Sequence, residues 1–211
     1  MKQRSAFKHR ENIMSLVLSE EDRRTIRMFS EKKVRVLRKV RPQLVDETNG
    51  AILVTCADGD QMENVFLYHR KICLHHREEH RPHLLSLNGG AKLIASDSPL
   101  RHGDEDTVLL GHLKDARRMK GIETIVLYAH APCGAAYAHK LSFYRVLELL
   151  FAGRERVERE MPGVKVTCFC HVDYGNGKKH TYFASRTSWL LWRAAPTKPV
   201  RRAGIDYSPT R

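Results

Sequence analysis

The chain has 211 residues, 42% of them apolar and 29% charged, a balance that supports one α/β domain with a buried core and argues against global disorder. No apolar run approaches the roughly 18 residues of a membrane helix. The formal charge is +13, but residues 1–41 carry a net +8, residues 186–211 a net +5, and residues 42–185 a net of zero. A neutral middle with basic ends argues against a nucleic-acid-binding domain, whose positive charge would sit on a folded face. The basic N-terminus leads into no apolar secretory core, and five cysteines without small-scaffold spacing read as reduced thiols or metal ligands, so a cytoplasmic protein is expected.

In chain order, residues 1–41 read as helical with a boundary near Ser19, whose side chain precedes Glu20, Glu21 and Asp22 as an N-cap would. Ile26, Phe29, Val34 and Leu37 are expected on one side of that helix, which Pro42 closes. Ala51 to Thr55 is a continuous apolar, β-branched run, the pattern of a strand buried on both faces, and it runs into Cys56-Ala57-Asp58-Gly59-Asp60. Residues 61–82 are polar and His-rich, helix plus loop. Leu84 to Leu87 is a second strand, halted by Asn88-Gly89-Gly90.

A helix follows from Asp104 to Lys120, with acids at its start, bases at its end and Gly121 as C-cap. The third strand begins at Thr124 and runs into His130-Ala131-Pro132-Cys133-Gly134, and one long helix then extends to Met161. Val164 to Val172 is a fourth strand, and the turn Tyr174-Gly175-Asn176-Gly177 returns Lys179 to Ser185 antiparallel. This alternation predicts an α/β fold: a mostly parallel central sheet flanked by helices, with an antiparallel C-terminal edge strand. The divisions expected are an N-terminal helical arm (1–47), the α/β domain (48–193) and a basic, proline-containing mobile tail (194–211).

Ligands bind such sheets at the carboxyl ends of the strands. Cys56 and Asp58 follow the first strand, and His130 and Cys133 end the third. Two thiolates, an imidazole and a carboxylate at one end of neighbouring strands make a tetrahedral set suited to Zn²⁺. Cys168 and Cys170 face one side of their strand and read as core thiols, with a second metal site, including His171, as the alternative. Cys73, His75, His76, His80 and His83 read as a solvated His-rich insertion, with a lid over the site as the alternative.

Cys56-Ala57-Asp58, His130-Ala131-Pro132-Cys133-Gly134 and Leu87-Asn88-Gly89-Gly90, the last similar to an Arg-Asn-x-Gly loop, together resemble the motifs of the β-class carbonic anhydrases. Asp106 to Leu127 and Val164 to Phe183 resemble the flanking elements, so the likeness covers about residues 48–185. It implies Zn²⁺ on Cys56, His130 and Cys133, and reversible hydration of CO₂ to bicarbonate by hydroxide generated on the metal. It also implies a homodimer or higher even oligomer whose N-terminal helices embrace the partner. Asp58 is the implied catalytic residue, or the fourth ligand of a closed site; Asn88, Gly89 and Gly90 are the implied substrate-binding loop. The chain departs from the family pattern Cys-x-Asp-x-Arg, because Asp60 stands at the arginine position, and Leu87 replaces the arginine of the loop. Without that cation Asp58 is expected to move onto the metal. Two alternatives accompany the carbonic-anhydrase reading: hydrolysis of carbonyl sulfide or carbon disulfide on the same scaffold, and a non-catalytic zinc-bound dimer with Asp58 closing the site.

Overall fold

The computed structural model describes residues 16–40, 50–73 and 82–195. Its centre is a six-stranded sheet in the order β1-β6-β5-β4-β2-β3. β2 (Ala51–Cys56), β3 (His83–Leu87), β4 (Thr124–Ala131) and β5 (Lys165–Asp173) run parallel, while β6 (Lys179–Ala184) is antiparallel to β5 and to β1 (Leu37–Lys39). Every residue of β2 and β4 is buried, as their unbroken apolar runs require of strands covered on both faces.

Successive side chains of a strand point to opposite faces, and the core divides accordingly. Ile52, Val54 and Cys56 of β2 join the larger cluster, built with α1 (Glu20–Ser30), α3 (Glu105–Lys120), α5 (Phe143–Glu160) and α6 (Arg186–Ala194). Ala51 and Leu53 join a smaller cluster with Val65 and Ile72 of α2 (Gly59–Cys73). The segment 59–73 is therefore not a solvated insertion, because it supplies the helix that covers the second face. His75, His76 and His80 lie outside the described residues, and His83 opens β3.

Three sequence expectations change in detail. Ser19 caps α1, its hydroxyl accepting from the Asp22 amide at 3.0 Å, but the helix stops at Ser30 rather than continuing to Pro42. The β-branched Val34 and Val36 favour extended backbone over helix, and Leu37 pairs with Ala184, so β1 rather than β6 forms that edge of the sheet. The single helix expected up to Met161 is two: a short α4 (Gly134–Ala138) and α5, which Ser142 caps. α6 is a helix that the sequence expectations do not include. Ser185 caps it and Trp189 inserts beside Phe29 and Phe151, with ring centroids 5.6 and 5.4 Å away.

Ile26 and Phe29 bury α1 in the main core. Leu18 is also buried there, Leu16 and Val17 are exposed, and Ile13 and Met14 lie outside the described residues. Among the described residues no helix is long and apolar enough to cross a membrane.

A buried ionic cluster joins α3 to α5. Asp106 accepts from Arg101 and from Arg156, whose side chains are largely buried. Burial raises the Asp106 carboxyl, but Arg156, Arg101 and the Thr107 amide outweigh it and hold the group below the usual carboxylate range. Breaking a buried ion pair leaves its partner uncompensated at a cost of about 3–5 kcal/mol. Asp106→Asn is expected to lower the denaturation midpoint by a stability loss at the low end of that range at pH 7. Because the folded-state pKa is depressed, the stabilisation is present above the ordinary carboxylate pKa near 4 and is lost as pH falls through the folded value. Urea titrations should therefore show the mutant and the wild type converging in acid; a gap that persists unchanged there would contradict this.

Candidate metal centre

β2 and β4 are hydrogen-bonded neighbours in parallel register, so the ends of both strands open on one rim of the sheet. Cys56 is the last residue of β2, His130 is the last but one of β4, and Cys133 is the N-cap of α4. All three are buried, with 4–6% of their surface exposed, and their ligand atoms lie within 4.8 Å of one another. Ligands of a tetrahedral metal bonded at ~2.0–2.3 Å stand about 3.5–3.8 Å apart, which this cluster reaches with small side-chain adjustment. Neither ring nitrogen of His130 has a hydrogen-bond partner among the described residues. An imidazole buried with both nitrogens unsatisfied is costly, and a metal ion would satisfy one of the two. The three residues fit one.

Each sulfur has its own donor. The Gly89 amide donates to Cys56 Sγ at 3.3 Å, and Lys92 Nζ donates to Cys133 Sγ at 3.4 Å. The Cys56 thiol, His130 and the Lys92 ammonium together hold Cys133 far below the usual thiol value, while the thiolate next to it and burial push Cys56 up. Gly89 and Gly90 have φ of +96° and +56°, and a Cβ on Gly90 would stand 2.4 Å from the Cys56 nitrogen. The glycines thus bring a 3₁₀ helix (Gly90–Ile94) against the end of β2, placing Lys92 beside Cys133.

Asp58 sits at the start of α2. Its carbonyl accepts from the Gln61 and Met62 amides, and its Oδ1 accepts from the Asp60 amide at 3.1 Å. Oδ2 lies 3.9 Å from His130 Nε2. With no arginine at position 60, the backbone amide of Asp60 is what donates to Asp58, at a helix N-terminus that favours negative charge. The Asp60 carbonyl in turn accepts from Lys179 Nζ.

A cleft of about 640 Å³ opens onto Cys56 and Asp58. Asn88 lines it, whereas Gly89 and Gly90 act on Cys56. Leu87, Leu93 and Leu100 give it an apolar wall, and His102, Glu105 and His139 are polar members of its lining. His102 and His139, with ring centroids 5.9 Å apart, are not singled out by the sequence, where each is an isolated histidine. Lys92 escapes sequence reasoning as well.

Cys168 and Cys170 are fully buried, and burial pushes both thiols up to about 12. They are core thiols. His171 bonds through Nδ1 to Thr181 Oγ1 at 2.8 Å, and burial lowers its pKa to about 4. Among the described residues the only group placed to hold a metal is Cys56, His130 and Cys133. In comparisons with known proteins, no family model, no curated protein and no solved structure matches the chain.

Proposed function

We propose that Cys56, His130 and Cys133 hold zinc and that the protein catalyses the reversible hydration of CO₂ to bicarbonate. The observation that carries this reading is the buried Cys–His–Cys cluster with an acid and an open cleft beside it. Two soft sulfurs and one nitrogen suit zinc better than a hard cation, and the motifs carrying these residues resemble those of β-class carbonic anhydrases. Zinc, when bound, supplies the Lewis acidity by which proteins obtain a strong oxygen nucleophile at neutral pH.

The chain's own residues supply the rest. The Asp60 amide holds Oδ1 of Asp58, leaving Oδ2 on the His130 side to accept a hydrogen bond from a water in the cleft and orient it. Leu87, Leu93 and Leu100 offer CO₂ an apolar wall, and Leu87, at the position of the family's arginine, makes that wall less polar. The cleft gives bicarbonate a route out. A homodimer belongs to the same proposal, with exposed Leu16 and Val17 as residues it would cover.

The proximity of Oδ2 to His130 favours a second state in which Asp58 is itself the fourth ligand and closes the site. Asp58 would then have to swing back to the Asp60 amide to open the site. CO₂ hydration measured by stopped flow on zinc-replete protein is expected to be weak near pH 7 and to rise with pH. Asp60→Arg keeps the backbone donor and adds a cation that draws Asp58 off the metal, so it should raise the rate at pH 7. Full wild-type activity at pH 7, unchanged in Asp60→Arg, would rule out the closed state. Zinc-replete protein with no CO₂ hydration at any pH from about 6 to 9, the range over which zinc-bound water ionises, would rule out the anhydrase reading.

A further inference from the structure

Lys92 is fully buried, at 0% exposure, in the middle of Ala91-Lys92-Leu93-Ile94, whose other members are also buried. Removing an ammonium from water costs several kcal/mol unless it is paired. Among the described residues no carboxylate lies within ion-pair distance of it, and its hydrogen bond is to Cys133 Sγ at 3.4 Å. Leucine or methionine would fill the same core space with no charge to desolvate, so packing alone does not account for a lysine here. The sulfur it contacts belongs to the cluster that can hold a metal, so the cation is part of that centre's charge balance.

We propose that Lys92 is the fixed counter-charge of the metal centre and makes it select a small anion, rather than a neutral molecule, at the coordination position the protein leaves open. The inference rests on the metal reading above and deepens it. A divalent ion, two thiolates and a neutral imidazole sum to zero, and the Lys92 ammonium leaves the buried assembly with one positive charge, which Asp58, about a quarter exposed at the cleft, answers only in part. A monovalent anion cancels that charge; a neutral ligand does not. Charge imbalance is expensive in a low-dielectric interior, so the preference is built into the fold, not into the metal. Hydroxide, bicarbonate and the Asp58 carboxylate all satisfy it, which places substrate-side and product-side anions in one class. The positioning is enforced by Gly89 and Gly90: their positive φ turns the chain so that the 3₁₀ helix aims Lys92 at Cys133.

The test uses the full chain loaded with cobalt(II), whose visible absorption reports coordination, and sodium azide as the anion. Wild type, Lys92→Met, Lys92→Gln and Lys92→Arg are compared for cobalt per chain and for the azide dissociation constant. The neutral variants should retain cobalt and bind azide roughly tenfold to a hundredfold more weakly, the scale of removing one unit charge from a poorly screened site. Lys92→Arg should keep most of the affinity. Cobalt-loaded Lys92→Met or Lys92→Gln with wild-type azide affinity overturns the proposal and leaves the metal reading intact. Equal losses in Lys92→Gln and Lys92→Arg assign Lys92 to packing and overturn it too. Wild type that takes up no cobalt, zinc or other divalent ion overturns both.

Discussion

Cys133→Ala is expected to leave the fold in place and almost no metal in it. Structural zinc sites bind with roughly 10–16 kcal/mol; shared among three or four ligands, one thiolate contributes about 3–4 kcal/mol, or two to three powers of ten in affinity. Cys133 is also the sulfur to which the buried Lys92 ammonium donates. Its removal also leaves the Lys92 ammonium buried without an acceptor. Elemental analysis of protein purified in parallel should find about one metal per chain in wild type and well under a tenth of that in the variant. A variant that keeps its full metal would remove Cys133 from the ligand set. Cys168→Ala is the control, since that buried thiol faces the core of β5 and should leave metal content unchanged.

Gly90→Ala should be the most damaging substitution of a single hydrogen by a methyl group in the described chain. The new Cβ would lie 2.4 Å from the Cys56 nitrogen and 2.5 Å from the Thr55 carbonyl carbon, both backbone atoms of a buried central strand. Overpacking costs typically 1–3 kcal/mol, and left-handed backbone adds about 1–2 kcal/mol for a residue with a Cβ, so a loss of about 3 kcal/mol or more is expected. The strand end that must yield carries Cys56, a candidate metal ligand, so metal affinity should fall as well. Gly111, exposed in α3, has no atom within 4 Å of where an added methyl would stand and makes the opposite case: Gly111→Ala should stabilise by about 0.5–1 kcal/mol. Denaturant midpoints for the two variants that shift in the same direction would contradict the packing described at Gly90.

How much of this is legible in the sequence follows physical lines. β2 and β4 can be read because a strand buried on both faces is largely apolar, β5 can be read from its apolar centre, and the turn Tyr174-Gly175-Asn176-Gly177 announces the β5–β6 hairpin. The candidate ligands are legible for a related reason: polar, metal-binding side chains stand out where an apolar strand ends. β1 is hidden because three residues on a sheet edge carry little pattern of their own; Leu37 is held by its pairing with Ala184, which no local propensity reports. α6 is hidden by its position before the basic tail, although Ser185 and the Trp189–Trp192 spacing carry a capping and a periodic signal. Lys92 is invisible for a deeper reason. A lysine in a sequence reads as solvent-facing, and its burial follows only from the chain reversal at Gly89 and Gly90 and from a sulfur 41 positions away. At Asp60 a charge in the sequence draws attention to the side chain, while the contact to Asp58 is made by the backbone amide.

X-ray absorption at the zinc edge of the purified protein tests the proposed zinc on Cys56, His130 and Cys133 most directly. The expected shell is two sulfurs at about 2.3 Å and two nitrogen or oxygen atoms at about 2.0–2.2 Å, the sulfurs from Cys56 and Cys133 and one nitrogen from His130. A protein without zinc, or a shell of nitrogen and oxygen alone, would contradict it.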